Sequence, residues 1–456
     1  MIIDKSLQRI TLLLVSLAAF LIPFMGSSLN LALPVIQKDL LVNIIILGWI
    51  PTAFVLANAA LVLPFGRLAD IYGRRKIFAY GIFIYTISSF LAAFSTSGEI
   101  LVIFSFMQGL GCAMIFATMV ALLSSVFPMK RRGEALGLYV TAVFIGLFLG
   151  PILGGVLIQY LGWRSIFLFN VPIGIFLLLI LFWKLKMEWT EAQGEHFDIK
   201  GATIYTLSLV AILYGFSSLL EDMGKFVLIL GFMGLLGFIL LERKNESPML
   251  QLSIFQRRQS SFTALSMLFL NIAISAMATL LSLYLQSLRG LDPQTTAFIL
   301  ASQPLMVAVL SPLIGRAADR TNNRLLPISG LMLITIGLVM LIFLSSETPI
   351  LLPILALVMV GVGQALFSSP TTRTFMGSVD SKIYGMASSA FSTMIYLGQT
   401  FSLGILLIIF TIYLGRVEIN PSNFGIFLDS LRMAFTVFAI ISGVALVFSV
   451  LVGNEK

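Results

Sequence analysis

The stretch Gly66-Arg67-Leu68-Ala69-Asp70-Ile71-Tyr72-Gly73-Arg74-Arg75-Lys76 separates two apolar runs, near 44–65 and 77–97. Gly66 and Gly73 permit a tight turn between helices that must sit close. Asp70 stands just ahead of the second helix, where a carboxylate meets the positive helix end. Arg67, Arg74, Arg75 and Lys76 offer cationic partners. Such a cluster can latch two helical bundles in one state and release them in another. A plain positive anchor at the membrane face needs neither the aspartate nor the glycines. A shorter copy, Gly315-Arg316-Ala317-Ala318-Asp319-Arg320, follows another apolar run 249 residues later. Each copy closes a helix that carries a proline near its end, Pro64 and Pro312. Two related six-helix halves with an inserted pair between them explain this spacing, and repeat-built halves are the common plan of secondary transporters.

Composition points the same way. Of 456 residues, 59% are hydrophobic and 11% charged, against roughly 45–50% and 25% in soluble domains. Mean hydropathy is +1.04. A water-soluble globule of this length cannot hide that much apolar surface, which excludes soluble, disordered and fibrous classes. Apolar runs of about 20 residues, rather than alternating tens, exclude a β-barrel. The expected fold class is all-α, a polytopic membrane protein of about fourteen transmembrane helices. The runs lie near 10–33, 44–65, 77–97, 100–127, 135–160, 165–186, 201–219, 225–241, 261–287, 294–314, 325–345, 349–369, 384–412 and 430–452. The first is too long for a signal-peptide core and lacks an A-x-A-like cleavage site, so it reads as a retained span. The organisation expected is an N-terminal six-helix bundle over 1–186, a linker with two extra spans over 187–260, and a C-terminal six-helix bundle over 261–456.

With the N-terminus placed inside, 22 of the 28 lysines and arginines fall in cytoplasmic segments, as the positive-inside bias requires. This accounts for the net charge of +8 without a nucleic-acid partner. The protein is therefore expected in the cell membrane, multi-pass, with both termini cytoplasmic. Cys112 is the only cysteine and His196 the only histidine. No disulfide, no metal site and no cofactor is expected from them, and His196 reads as a solvated loop side chain.

In the fifth run, Gly146, Gly150 and Gly154 recur at every fourth position, with Pro151 and Gly155 beside them. Such glycines line one helix face and let a neighbour approach closely, while Pro151 frees a carbonyl and permits a bend. All 20 acidic residues fall in loops or at helix ends, so no midplane charge is expected. Glu99, Glu221, Asp222 and Asp429 are the candidate proton sites. Uncharged polar residues do fall within the spans. Asn30, Gln108, Tyr139, Asn271, Gln303, Gln364, Tyr396 and Gln399 are the candidates for lining a substrate cavity, because polar groups in hydrocarbon turn toward the bundle interior.

The charged turn and its copy resemble the loop signature of the major facilitator superfamily, departing at Ile71, where an arginine is common. The Gly146–Gly155 pattern resembles the antiporter motif of its drug-exporting members. Gly162-Trp163-Arg164, Phe169-Asn170-Val171-Pro172, Asn30-Leu-Ala-Leu-Pro34, Trp49 and Gln108-Gly109 also look like that branch. The resemblance covers nearly the whole chain and points to fourteen-span drug:proton antiporters. Two departures stand out. That branch usually carries an aspartate where this chain has Met25, and an arginine where it has Ser105. Removing both members of a buried pair is far less costly than removing one.

The expected function is secondary active transport by alternating access, exporting hydrophobic or amphipathic compounds. The alternative is a lipid or lipid-precursor flippase on the same fold, without midplane proton coupling. Its expected partners are the bilayer, a small hydrophobic or amphipathic substrate and, as candidate coupling ion, protons, with the chain acting as a monomer. An enzyme would need convergent polar groups, and no H-E-x-x-H, G-x-S-x-G or phosphate loop is found. A missing G-x-x-x-x-G-K-[ST] also argues against ATP-driven transport, and the lack of charged rings or filter loops against a channel.

The charge asymmetry generates a direct test. With Cys112 replaced, Glu221→Cys is expected to react with a membrane-impermeant maleimide from outside the cell. Labelling from the cytoplasmic face alone would exclude fourteen full spans.

Overall fold

The computed structural model describes residues 5–190, 194–245, 248–250, 252–320, 325–378, 384–415 and 419–452, with the side chains of 129–134, 136, 217, 252–253, 312, 315–320 and 384–389 left out. Among the described residues the protein is all-helical. Fourteen segments are long and apolar enough to cross a membrane, and the chain is a multi-pass membrane protein. Helices and closed barrels are the structures that satisfy every backbone group within hydrocarbon.

The helices run α1 (Lys5–Leu40), α2 (Ile44–Tyr72), α3 (Arg74–Ala93), α4 (Gly98–Val126), α5 (Met129–Leu161), α6 (Arg164–Lys184), α7 (Ile199–Ser217) and α8 (Asp222–Glu242). After a 3-10 turn at Leu252–Phe255 come α9 (Arg258–Ile274), α10 (Met277–Leu283), α11 (Pro293–Arg320), α12 (Leu325–Ile342), α13 (Leu351–Gly377), α14 (Tyr384–Tyr413) and α15 (Phe424–Leu451). Polar caps set several starts, each accepting an otherwise unpaired first-turn amide. Asn43 Oδ1 accepts from Ile46 N at 2.9 Å, and Asp198 Oδ1 from Gly201 N at 2.9 Å. Asp292 accepts from Thr295 Oγ1 and N, bonds that hold its carboxyl below the usual carboxylate range.

The span expected over 261–287 is interrupted. α9 stops at Ile274, α10 resumes at Met277, and a π turn follows at Tyr284–Leu288. Two side chains make the break tolerable. Ser275 Oγ donates to Asn271 O at 2.7 Å, and Ser402 Oγ on α14 accepts from Ala276 N at 3.0 Å. A broken helix survives at membrane depth only where its freed groups are paired again.

The chain divides into two compact units. Unit 1 holds Met1–Val42, Trp49–Ile212 and Val227–Leu250; unit 2 holds Asn43–Gly48, Leu213–Phe226 and Gln251–Lys456. Each has the same internal pairing. In unit 1, α1 packs on α5 and α6, and α3 on α4 and α6. In unit 2, α9 packs on α14 and α15, and α12 on α13 and α15. The echo between Gly66 and Gly315 therefore extends from a short motif to the packing of the helices themselves. In unit 1, α7 is anchored on α2: Tyr205 Oη donates to Ala59 O at 3.0 Å and Thr206 Oγ1 to Ala60 O at 3.1 Å. α8 lies on α7 through Gly231 and Gly234, against Ile212 and Ser208.

Close approach within the units is made at glycines. A Cβ on Gly146 would lie 2.4 Å from Phe20 O of α1, and one on Gly154 would lie 2.5 Å from Ser28 Oγ. Gly81 and Gly111 bring α3 against α4, and Gly330 and Gly363 do the same for α12 and α13. Since the obstacle at Gly146 is backbone, it cannot rotate away. Gly146→Val is expected to destabilise the protein by about 1–3 kcal/mol, the usual range for overpacking. A thermal melt in detergent should show a lower Tm. Gly137→Val, where nothing lies within 4 Å of the added carbon, should melt like the parent.

Candidate functional site

The charged turn joins α2 to α3. α2 runs through Tyr72, so Asp70 sits in its last helical turn rather than beyond it. Gly73 then reverses the chain with φ +121°, a conformation that L side chains rarely adopt. Asp70 reaches forward across the turn. Its Oδ1 accepts from Arg74 Nε at 3.0 Å and Nη2 at 2.8 Å. Arg74 is 5% exposed, and its Nη1 also donates to Ser125 Oγ of α4 at 2.7 Å. This guanidinium is thus desolvated, paired and hydrogen-bonded, the condition under which a buried charge is tolerated.

The segment after α6 closes over the turn. Trp189 O accepts from Arg74 N at 3.0 Å, and Glu188 Oε1 accepts from Arg75 N at 2.8 Å. Two amides at the start of α3 are thereby satisfied by a neighbouring segment, and a carboxylate stands at the positive helix end. Glu188, not Asp70, fills that place. Arg75 Nε donates to Leu185 O, and Arg67 pairs with Glu195. Gly73 has a second reason to be glycine: a Cβ there would lie 2.4 Å from Glu188 Cδ. Glu188 was not singled out from sequence, because it lies more than a hundred residues from the turn. The corresponding positions in the second half, Gly315, Arg316, Asp319 and Arg320, end α11, and their side chains lie outside the described residues.

Gly146, Gly150 and Gly154 of α5 all face α1. Ser28 Oγ donates to Gly150 O at 2.8 Å, beside Pro151, whose ring leaves no amide to donate. Gly155 is buried on the same helix.

The polar residues within the spans divide among neighbours. Gln108 is fully buried and donates to Ser89 Oγ of α3 at 2.7 Å. Asn271 bonds back to Met267 O at 2.8 Å and packs against Gly398. Gln303 of α11 and Gln364 of α13 bond each other at 3.1 Å. Asn30, Tyr139, Tyr396 and Gln399 are half-buried. Met25 is fully buried, and its sulfur accepts from Asn170 Nδ2 at 3.4 Å. Asn170 in turn accepts from Tyr85 Oη at 3.3 Å. The position where the resembled branch carries an aspartate thus belongs to an uncharged network of Met25, Tyr85 and Asn170. Ser105 is also fully buried. Tyr85 and Ser89 escaped the sequence reading; they lie in a short polar run, Tyr85-Thr86-Ile87-Ser88-Ser89, whose members the sequence alone does not rank.

The four candidate proton sites are exposed at helix ends. Glu99 lies in the first turn of α4, Asp222 pairs with Lys225 at 2.9 Å, and Asp429 with Arg432 at 3.4 Å. Glu221 immediately precedes α8. Among the described residues the buried acid is Glu242, at the end of α8 and 4% exposed, whose Oε2 accepts from Leu250 N at 3.3 Å. On sequence it reads as a loop residue. No group of three or more His, Cys, Asp or Glu side chains among the described residues is placed to hold a metal ion.

The family model described as Major Facilitator Superfamily matches residues 15–403. The chain is 30% identical over 390 residues to the riboflavin transporter RibZ of Clostridioides difficile, covering 84% of each protein. It is 30% identical over 408 residues to the multidrug resistance protein Stp of Mycobacterium tuberculosis, covering 88% of this chain and 75% of that one. Among solved structures it superposes on a bacterial homologue of the human lysosomal transporter Spinster, with a TM-score of 0.66, 16% identity, and coverage of 98% of this chain and 97% of the other.

The turn yields a graded expectation. Asp70→Asn keeps an acceptor but removes the charge opposite buried Arg74, and should slow transport severalfold while leaving membrane insertion intact. Asp319→Asn should have a smaller effect, since its loop lacks the Gly-Arg-Arg cluster that follows Asp70. Gly73→Ala must give up both the backbone conformation and the Glu188 contact, and should lower transport and Tm together, at a cost of about 1–3 kcal/mol. Uptake into inverted vesicles, normalised to protein inserted, measures all three.

Proposed function

The chain belongs to the Major Facilitator Superfamily, and on that premise we propose that it is a secondary transporter that exports hydrophobic or amphipathic compounds by alternating access. It is a transporter and not an enzyme. The observation that carries the cargo assignment is the lack of charge at two buried midspan positions of unit 1. Met25 and Ser105, both 0% exposed, stand where the resembled branch holds an acid and a base. A cation would find no counter-charge there, and an isolated charge is costly in that environment. The names of the relatives, a riboflavin transporter and a multidrug resistance protein, support organic small molecules as cargo.

The two repeated helix sets, with α7 and α8 between them, act as the moving bundles in this reading. The charged turn and its second-half copy serve as the latch between states. In this reading the chain is a monomer in the cell membrane with both termini cytoplasmic, an orientation that the distribution of its lysines and arginines supports. Met25 and Ser105 also favour a second reading, a lipid or lipid-precursor flippase, because an apolar tail needs no counter-charge.

Both readings dispense with a proton relay at the midplane. A relay needs a titrating group, and any coupling must then use acids at helix ends such as Glu99, Glu221, Asp222 or Asp429. In proteoliposomes, addition of a transported dye is expected to move no stoichiometric protons through the membrane centre. Proton flux that persists after all four acids are neutralised together overturns this account. Uptake of dyes as opposed to translocation of labelled phospholipid separates export from flipping.

A further inference from the structure

At the ends of α7 and α8, within unit 1, lies a wide-mouthed cavity of about 920 Å³. Its wall combines cationic and apolar groups. Lys200 and His196 come from the start of α7 and the segment before it, and Lys244 from the end of α8; Ile199, Ile204 and Leu241 supply hydrocarbon. We propose that this cavity binds one anionic phospholipid, with its phosphate between Lys200, Lys244 and His196 and an acyl chain along the outer face of α7.

With Arg67, which pairs with Glu195, the wall sets three fixed cations against two carboxylates, and the surplus supports an anion. The two acids are already engaged. Asp198 accepts from Gly201 N at 2.9 Å and from Asn245 Nδ2 at 2.8 Å, tying the beginning of α7 to the end of α8. Gly201 allows this fold of the carboxylate, since a Cβ there would lie 2.4 Å from Asp198 Oδ2. Glu195 pairs with Arg67. By contrast, the side chains of His196, Lys200 and Lys244 form no hydrogen bond or ion pair among the described residues. Three donors on flexible or exposed stems are left around one opening.

The shape of the surroundings selects a lipid over a soluble phosphate ester. Ile199, Thr203 and Leu207 recur every fourth residue on α7 and are all exposed, Ile199 at 69% and Leu207 at 60%. They form a stripe that leads from the cavity along the spanning part of the helix. α8 is the least buried of the spans and exposes Leu240 and Leu241 beside the opening. A water-soluble anion gains nothing from that stripe, whereas an acyl chain covers it. The first free amides of α7 do not form an enclosed phosphate cradle either, because Asp198 takes the Gly201 N–H. Basic clusters at helix ends on the cytoplasmic side meet the leaflet rich in anionic lipid, at about 1 kcal/mol per lysine. The proposal does not depend on which cargo reading holds.

The test uses the full-length protein in detergent and native mass spectrometry, with phosphatidylglycerol, phosphatidylcholine and glycerol 3-phosphate as probes. Phosphatidylglycerol is expected to bind in preference to phosphatidylcholine. Lys200→Gln with Lys244→Gln should weaken it about 25-fold, about fivefold per charge, while Lys225→Gln at the other end of α8 leaves it unchanged. Unchanged phosphatidylglycerol binding by the double variant overturns the proposal. So does displacement of the lipid by equimolar glycerol 3-phosphate, which would mark a soluble-anion site. Should the double variant fail to fold, Thr203→Trp fills the acyl stripe without touching a charge. It is expected to weaken phosphatidylglycerol severalfold, and full retention of binding overturns the lipid assignment.

Discussion

Helices surrounded by lipid gain little by exchanging hydrocarbon for one another, so their association rests on how closely their backbones can approach. In this protein that approach is made at glycines. Gly146, Gly150 and Gly154 set α5 directly on the α1 backbone, and Ser28 bonds the Gly150 carbonyl across the gap. Gly81 and Gly111 set α3 on α4, Gly330 and Gly363 set α12 on α13, and Gly398 sets α14 on α9. The repeated pairing of the two units depends on these contacts. The same closeness makes the units stiff bodies, since a packed core shifts between discrete arrangements rather than deforming smoothly.

Stiff bodies need hinges and fastenings at their ends, and the charges are found there. The α2–α3 turn holds one buried guanidinium, Arg74, between Asp70 and Ser125. The segment after α6 adds Glu188 and Trp189 to the backbone of α3. On the other side of unit 1, Asp39 binds Trp163 Nε1 at 2.9 Å and Arg164 Nη1 at 2.6 Å, clasping α1 to α6. Exposed pairs of this kind contribute only about 0–1 kcal/mol each. Arg74 is different, because stripping its partner leaves a desolvated charge. Of the ion pairs in this unit, it is the one whose loss the fold would register most.

Away from the helix ends, where Arg74 and Glu242 are buried, the buried polar side chains described in the two units carry no charge. Gln108 with Ser89, and Asn170 with Tyr85 and Met25, form short hydrogen-bonded chains deep in unit 1. In unit 2, Gln303 and Gln364 play the equivalent part. Such groups fix helix orientation at low electrostatic cost, because no proton or counter-ion has to accompany them.

The sequence by itself determined the helical class, the number of apolar spans and the internal repeat. These follow from run length, composition and spacing, which the bilayer reads residue by residue. It also marked the glycines of α5 and the charged turn, because small residues at fourfold spacing and a fixed Gly-Arg-Asp pattern have few other uses in a membrane helix. Partners distant in the chain were decided by the tertiary structure alone. Glu188 occupies the helix end that local spacing assigned to Asp70, since α2 continues two residues past that aspartate. The break at Ser275 escaped notice because an apolar run looks continuous when Ser402, on another helix, repairs it. Among the described acids burial singles out Glu242, although all twenty lie in loops or at span ends in the sequence. Hydropathy records how far a residue is from the end of its own run. Only the packing of other helices decides whether water still reaches it.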